Sequence, residues 1–279
     1  MITDVQEDYI GHYAYVPEHI PQYVNPISQT EPYLFGDFLV YAKKDHVIFV
    51  GYPLNEAFDE KRLGRALEDA VQCLKPASVS LIAPVIPSSI QHGPHPSIDH
   101  YYRLDLSTLS ISQKLRNMLR RAGSELAVVK NAPFEQEHRR MVEAFLKTHA
   151  TDEATGFIFQ KIDAYLCSSK TAAIFEARTG GGDLVAFDVA EFKPRDYAVY
   201  MFNFRSGSHY IPGASDLLLS SVIQQAIGEG KKYINLGLGI NPGVTFFKKK
   251  WGGVVFLPHV FCLFHPHRKG LLEMLLRSE

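Results

Sequence analysis

Cysteine is scarce. The 279 residues hold three, Cys73, Cys167 and Cys262, far apart and without paired spacing. That excludes a disulfide framework and a cysteine zinc site, and it fits a reducing compartment. Net charge is nearly absent too, a formal −1 at pH 7. No overall field draws the chain to nucleic acid or membrane, so any such argument must rest on local patches. No run of 18 apolar residues occurs, and no membrane span is expected. The opening MITDVQEDYIGHYAYVPEH is acidic and aromatic and lacks the basic start and apolar stretch of a signal peptide, so the expectation is a cytoplasmic protein. There is no Gly-x-Ser-x-Gly elbow and no Walker loop. Gly237-x-Gly239 follows a strand, but Pro242 breaks the dinucleotide fingerprint. His92, His95 and His100 punctuate a proline-rich loop with no acidic or cysteine partner spaced to join them, so no metal is expected. Apolar residues are not lacking: at 46% they provide for a substantial core, in one large domain or two of ordinary size.

The most informative stretch is GASDLLLSSVIQQAIGEGKKYINLGLGINPGVTFFKKKWGG, residues 213–253. It reads as helix, turn, strand, glycine turn, second helix and glycine stop. Ser215 is the expected cap of the first helix, whose Leu219, Val222, Ile223, Ala226 and Ile227 fall on one face. Gly228 and Gly230 end it. Tyr233–Leu236 is a strand. Asn241 caps the second helix and Pro242 takes its first position, where no amide hydrogen is needed. Phe247 and Trp251, four apart, share a face.

Elsewhere the periodicities predict a strand pair over 33–42 and 46–52 and a helix capped by Asp59, with Leu63, Leu67 and Ala70 on its apolar face. Strands are expected at 79–82 and 101–106, with a proline-rich loop between them. Ser112 opens a helix whose Lys114, Arg116, Arg120 and Arg121 lie off its apolar face, as a solvated surface or as a basic wall along a cleft. A strand at 125–129, helices at 134–149 and 157–167, and strands at 172–178, 184–192 and 197–204 follow. Val254–Phe264 is a last strand, and a short helix is expected from Pro266. Residues 1–32, rich in proline, tyrosine and histidine, read as an irregular arm or lid.

The order of elements repeats. The helices opening at Asp59 and Ser215 are 156 positions apart, and the strands near Ala77 and Lys232 are 155 apart. The expectation is an α/β (α+β) fold of two tandem halves, residues 1–124 and 125–279, each a mixed, mostly antiparallel sheet with flanking helices. Only the second half has the glycine turn and the FFKKKWGG helix, so the first is expected to be scaffold or an acceptor-side wall.

Three pieces carry a resemblance: Lys114-Leu115-Arg116-Asn117 with Arg120, Arg121 and Ala122; Tyr210-Ile211-Pro212-Gly213-Ala214-Ser215; and Phe247-Lys248-Lys249-Lys250-Trp251-Gly252-Gly253. With the element order, they make the second half resemble the GNAT acyltransferase fold. The doubled arrangement resembles the Fem-type peptidoglycan aminoacyltransferases and the catalytic domain of phosphatidylglycerol lysyltransferases. The resemblance implies that Tyr197–Phe204 and Tyr233–Leu236 splay apart, with the acyl donor in the gap and the start of the Gly213 helix lining it. It also implies acyl-coenzyme A or aminoacyl-tRNA as donor. The coenzyme A loop of GNAT enzymes, Arg/Gln-x-x-Gly-x-Gly/Ala, is replaced here by RSGSHYIPGASD, with His209 at the Arg/Gln position and Pro212 removing an amide. Lys248 stands near the place of the usual tyrosine acid. Both departures lean toward the Fem-like side, although no coiled-coil arm for tRNA is evident.

Acyl transfer to an amine needs a base, donors for the oxyanion and an acid for the leaving group. Lys248 is the first candidate, because Fem-type enzymes have a Phe-Lys pair that Phe247-Lys248 matches. The alternative is that Lys248, Lys249 and Lys250 form the wet face of a helix. His209 and Tyr210 are further candidates, the histidine because it titrates near neutrality. Asp188, between Ala186 and Ala190, is either a base or an edge or surface carboxylate. Asn203, Arg205, Gly213, Ala214, Ser215, Asn241 and Phe247 are the expected donor-binding set, Arg205 because a guanidinium suits phosphate or carboxylate. The reading is an acyltransferase acting on a small-molecule or peptide amine. The alternative is a catalytically degenerate protein that keeps the cleft to hold a ligand or partner.

Overall fold

The computed structural model describes residues 1–88, 90 and 96–266. The expected helix from Pro266, and His92 and His95, lie outside the described residues. An eleven-stranded mixed sheet runs through the molecule with helices on both faces. The first half gives β1 (Glu31–Phe35), β2 (Phe38–Lys43), β3 (His46–Val50), α3 (Glu60–Leu74), β4 (Ser78–Ala83) and β5 (Ser97–Asp105). The chain continues with α4 (Gln113–Glu125), β6 (Leu126–Lys130), α5 (Gln136–Thr148), α6 (Glu153–Gln160), α7 (Ile162–Ser168), β7 (Ala172–Thr179), β8 (Leu184–Glu191), β9 (Tyr197–Arg205), α8 (Ala214–Gly228), β10 (Tyr233–Leu238), α9 (Pro242–Lys250) and β11 (Val254–Phe264).

The strand order is β1-β2-β3-β4-β11-β5-β10-β9-β8-β7-β6. It reads the same from either side of the central β11/β5 pair once β1–β5 are matched with β7–β11. The repeat seen in the sequence is therefore a repeat of structure. The last strands are exchanged: β11 pairs with β4 of the first half, and β5 with β10 of the second.

Local chemistry explains the well-placed helix starts. Asp59 accepts from the Arg62 amide, Ser112 from Leu115 and Asn241 from Val244. Four expectations are corrected. Residues 1–32 are not irregular: they form α1 (Asp4–Tyr13), a 3-10 turn at Pro17–His19 and α2 (Pro21–Ser28). Thr3 closes a capping box with Gln6, and Pro17 and Pro21 each begin a helical turn rather than break one. The single helix expected over 157–167 is two, parted at Lys161, and the strand over 33–42 is two, parted by a turn at Gly36. Ser215 does not cap α8. The cap position is Gly213, in the left-handed region at φ 87°, with no side-chain cap.

α8 is buried almost all round, with Leu218, Leu219, Val222, Ile223 and Ala226 in the core. Such a helix is an interior one. It lies on the sheet under α4 and beside α9, and each of its large apolar side chains contributes about 1.5–3 kcal/mol of burial. The opposite face of the second half is covered by α5–α7 over Phe187, Val189, Phe202 and Phe204. The N-terminal segment seals the centre of that face. Tyr15 accepts from Asn235 through its carbonyl at 2.7 Å, and Glu18 accepts from the Tyr101 hydroxyl at 2.7 Å.

Candidate functional site

The two halves differ at one junction. In the first, the parallel strands β3 and β4 pair over five positions, His46 with Ser78 through Val50 with Ile82. In the second, β9 and β10 pair over only three, Tyr197 with Tyr233 through Val199 with Asn235. Beyond them the strands part, as the resemblance implied. Irregularities mark both sides of the opening. The β8/β9 register shifts between Val189 and Ala190, and the β10/β5 register shifts between Asn235 and Leu238, where Gly237 has φ 77°. A bulge bends its strand and ends regular pairing, which is what a gap requires.

Lys248 sits at the apex of this gap. It is 3% exposed, which rules out the alternative of a wet helix face for this lysine. Its ammonium donates to the Leu238 carbonyl and lies 5.7 Å from the Tyr102 ring. A Cβ on Gly237 would come within 3.7 Å of Lys248 Nζ and 3.9 Å of the Tyr200 carbonyl oxygen, so the amine lies between the two parting strands. Burial lowers its pKa to about 7, against a smaller upward pull from Asp99. Asp99 is engaged by the Gly239 amide at 3.1 Å and the Ile240 amide at 2.8 Å. These bonds hold Ile240, 73% exposed, in the left-handed region at φ 60°, which is unusual for a β-branched residue. Of the other lysines, Lys249 is exposed, whereas Lys250 pairs with Asp216 at 2.6 Å.

The other wall is a polar chain under the start of α8. Asn203 donates to Asp188 Oδ1 at 2.5 Å, and Ser215 donates to Asn203 Oδ1 at 3.2 Å. The expectation of an edge or surface carboxylate fails: Asp188 is fully buried. Its strand, β8, lies inside the sheet with both faces covered, and small neighbours at Ala186 and Ala190 let α8 close over it. Burial pushes the Asp188 carboxyl up to about 8, with the Asn203 hydrogen bond opposing. Asp188 Oδ2 and the nearby Tyr200 hydroxyl are both buried without a hydrogen-bond partner. The next carboxylate, Asp216, accepts from the Trp251 indole at 2.9 Å and joins α8 to α9.

Gly213 is required by its neighbours as well as by its φ. A Cβ there would lie 3.0 Å from Met118 Cγ and 3.2 Å from Ala122 Cβ, so α4 lies flush against the start of α8. The exposed Lys114, Arg116, Arg120 and Arg121 belong to that same α4. At the rim, Arg205 stacks on Tyr210 with its guanidinium 5.3 Å from the ring, and His209 is exposed, its amide bonded to Ser206.

The structure thus joins Asp188, Asn203 and Ser215 in one hydrogen-bonded chain beside Gly213 and Ala214. It places Lys248 across the opening and leaves Arg205, at the end of β9, with His209 and Tyr210 of the following loop at the rim. Asn241 caps α9, and Phe247 packs into the core beneath it. Sequence reasoning missed Tyr200, Asp216, Asp99 and Tyr102. One signal was available for Asp216, because the sole tryptophan needs an acceptor for its indole N–H when buried. A separate group, Glu137, His138 and Glu176, has its ligand atoms within 4.8 Å of one another. Arg178 closes it by pairing with both carboxylates, and His138 Nε2 faces Glu176 at 2.8 Å, so the carboxylates are already engaged within the protein.

No protein-family model matches the chain, and no curated protein matches it. Solved structures do. FemX matches 98% of this chain over 98% of its own, with a TM-score of 0.63 and 10% identity. The C-terminal domain of a putative lysylphosphatidylglycerol synthetase from Agrobacterium fabrum matches 98% over 96% of its own, at 0.59 and 14%. A tandem GNAT protein from the clavulanic acid biosynthesis pathway matches 82% over 78%, at 0.50 and 12%. What is shared at these identities is the fold: the chain has the tandem GNAT-like architecture.

Proposed function

We propose that this protein is an acyltransferase that moves an acyl or aminoacyl group from an activated donor, acyl-coenzyme A or aminoacyl-tRNA, to an amine. The observation that carries the reading is the gap between β9 and β10 with a buried, near-neutral lysine at its apex. The parted strands leave main-chain groups unpaired along β9, where an extended donor can bind. The acceptor nitrogen attacks the donor carbonyl; the C–N bond forms, the bond to sulfur or ester oxygen breaks, and the nitrogen's proton passes to the leaving group. As an ammonium, Lys248 stabilises the oxyanion. With a pKa near 7 its amine also exchanges a proton at neutral pH without a large penalty. Asp188 is too enclosed to touch a substrate in this conformation. We assign it, with Asn203 and Ser215, to holding the first turn of α8 where the donor's polar end would rest. Arg205, His209 and Tyr210 form the rim of that end.

The missing amide at Pro212 and the exposed basic face of α4 favour an aminoacyl-tRNA donor over coenzyme A. The test is direct. Acetyl-, longer acyl- and free coenzyme A are screened by thermal shift, and transfer from charged tRNA to an amine is followed by mass spectrometry. One donor class should bind and turn over, and Lys248→Ala should keep fold and binding while turnover falls at least a hundredfold. Absence of binding and turnover with both classes, or an unimpaired Lys248→Ala, would overturn the proposal.

A further inference from the structure

The face of the sheet away from α8 and α9 carries an arginine that makes no salt bridge among the described residues. Along β5, Tyr102 and Leu104 enter the core beneath α8, while Tyr101 meets Glu18 of the N-terminal segment. Arg103, alternating with them, lies on the Tyr101 face. Its guanidinium lies 4.4 Å from the centre of the Tyr233 ring and 5.3 Å from that of Phe256. One terminal nitrogen donates to the Tyr197 hydroxyl at 3.3 Å. Tyr197 packs on Tyr233, Phe256 and Tyr15, with ring centres 5.1, 6.3 and 6.2 Å away. All five side chains are half-buried.

This guanidinium is held but not satisfied. Its Nε is buried with no partner, and among the described residues no carboxylate lies within salt-bridge distance. The acids nearby spend their hydrogen bonds elsewhere: Asp105 accepts from Ser107, which lowers its carboxyl more than the charge of Arg103 does, and Asp196 pairs with Arg195 and Lys232. A planar fork clamped by aromatic rings has already lost the freedom that binding would otherwise remove, and its geometry matches two oxygens of one anion. An arginine serving only to cover the sheet would be expected to spend its donors on neighbouring carbonyls.

We propose that Arg103, with Tyr15, Tyr197, Tyr233 and Phe256, forms a binding site for the oxyanion end of a small molecule, a phosphate or a carboxylate. The rings take the apolar or planar part next to that end. The site adjoins the gap from the second face: Arg103 is paired in register with Asn235, the last residue of β10 that still pairs with β9. If the transferase reading holds, a ligand anchored here lies beside the last paired position before the gap, on the face away from α8 and next to the N-terminal segment that covers Asn235.

The test reads binding alone, so its failure and that of the transferase reading are distinguishable. Inorganic phosphate, pyrophosphate and succinate are titrated at constant ionic strength against the full chain by thermal shift and calorimetry. At least one should raise the melting temperature of the wild type, and the responding arm names the oxyanion class. Arg103→Gln should weaken that anion at least tenfold. Arg103→Lys, which keeps the charge and loses the fork, should weaken it severalfold and decides the matter if the glutamine variant does not fold. No response to any anion, or equal affinity in the substituted protein, would overturn the proposal.

Discussion

Lys248 makes a demand on the rest of the protein that pH can expose. Its pKa falls from 10.5 to about 7 on folding because burial disfavours the ammonium. The sign follows from proton counts. Between pH 7 and pH 10.5 the unfolded chain binds more protons at this site than the folded one, so stability rises with pH across that window. Below pH 7 both states are protonated and the penalty is complete, on the order of 5 kcal/mol as an upper bound. By linkage it relaxes by about 2 kcal/mol from pH 7 to pH 9. Asp188 and other groups titrate nearby, so the quantity to measure is the difference between wild type and Lys248→Met. Urea unfolding at pH 6, 7, 8 and 9 should show the methionine variant more stable at pH 7 by about 1–3 kcal/mol, once relaxation of the site reduces the bound. That advantage should shrink toward pH 9. A constant difference, or a less stable variant at pH 7, would refute the buried near-neutral amine.

Asp188→Asn should stabilise the protein by about 1–3 kcal/mol at pH 7.5. The wild-type carboxyl rises to about 8 on folding, so stability is lost as pH climbs from about 4 toward 8. The amide removes that slope in urea unfolding at pH 5 and 7.5. Gly213→Ala should lower stability by about 1–2 kcal/mol, since the new methyl meets Met118 and Ala122 and a left-handed φ disfavours alanine. By pushing α4 from the start of α8, it should also weaken donor binding more than a stability-matched change in β1. Calorimetry on both variants checks this.

Local chemistry made much of the fold legible. Caps such as Asp59, Ser112 and Asn241 act on amides three residues away, so sequence spacing contains the interaction. The departures have a longer range. Ile10 and Val16 are buried against strands that arrive later in the chain, and their spacing has no helical period of its own. The cap of α8 is Gly213 rather than Ser215 because α4 comes too close for a side chain there. Lys248 stood out by resemblance, but its spacing alone could not separate it from Lys249 and Lys250; the turn at Gly237 and the ring of Tyr102, which enclose it, do. Asp188 offered a hint in its flanking alanines, since small residues mark a covered strand, but depth in the sheet is a property of strand order. The splay was anticipated through resemblance; the guanidinium of Arg103 among rings from three strands was not.

The crossing of β5 and β11 bears on how such a molecule arises and assembles. Two copies of an ancestral unit that traded their final strands would form a swapped homodimer, and joining them end to end would yield this strand order within one polypeptide. The linker then fixes stoichiometry at one to one and frees the copies to diverge, one keeping its parallel pair closed while the other opens it. Because each half lends its last strand to the other, neither should retain its own sheet when expressed alone. Cut after residue 110, the fragments should be insoluble singly and should recover the native circular dichroism spectrum only when refolded together.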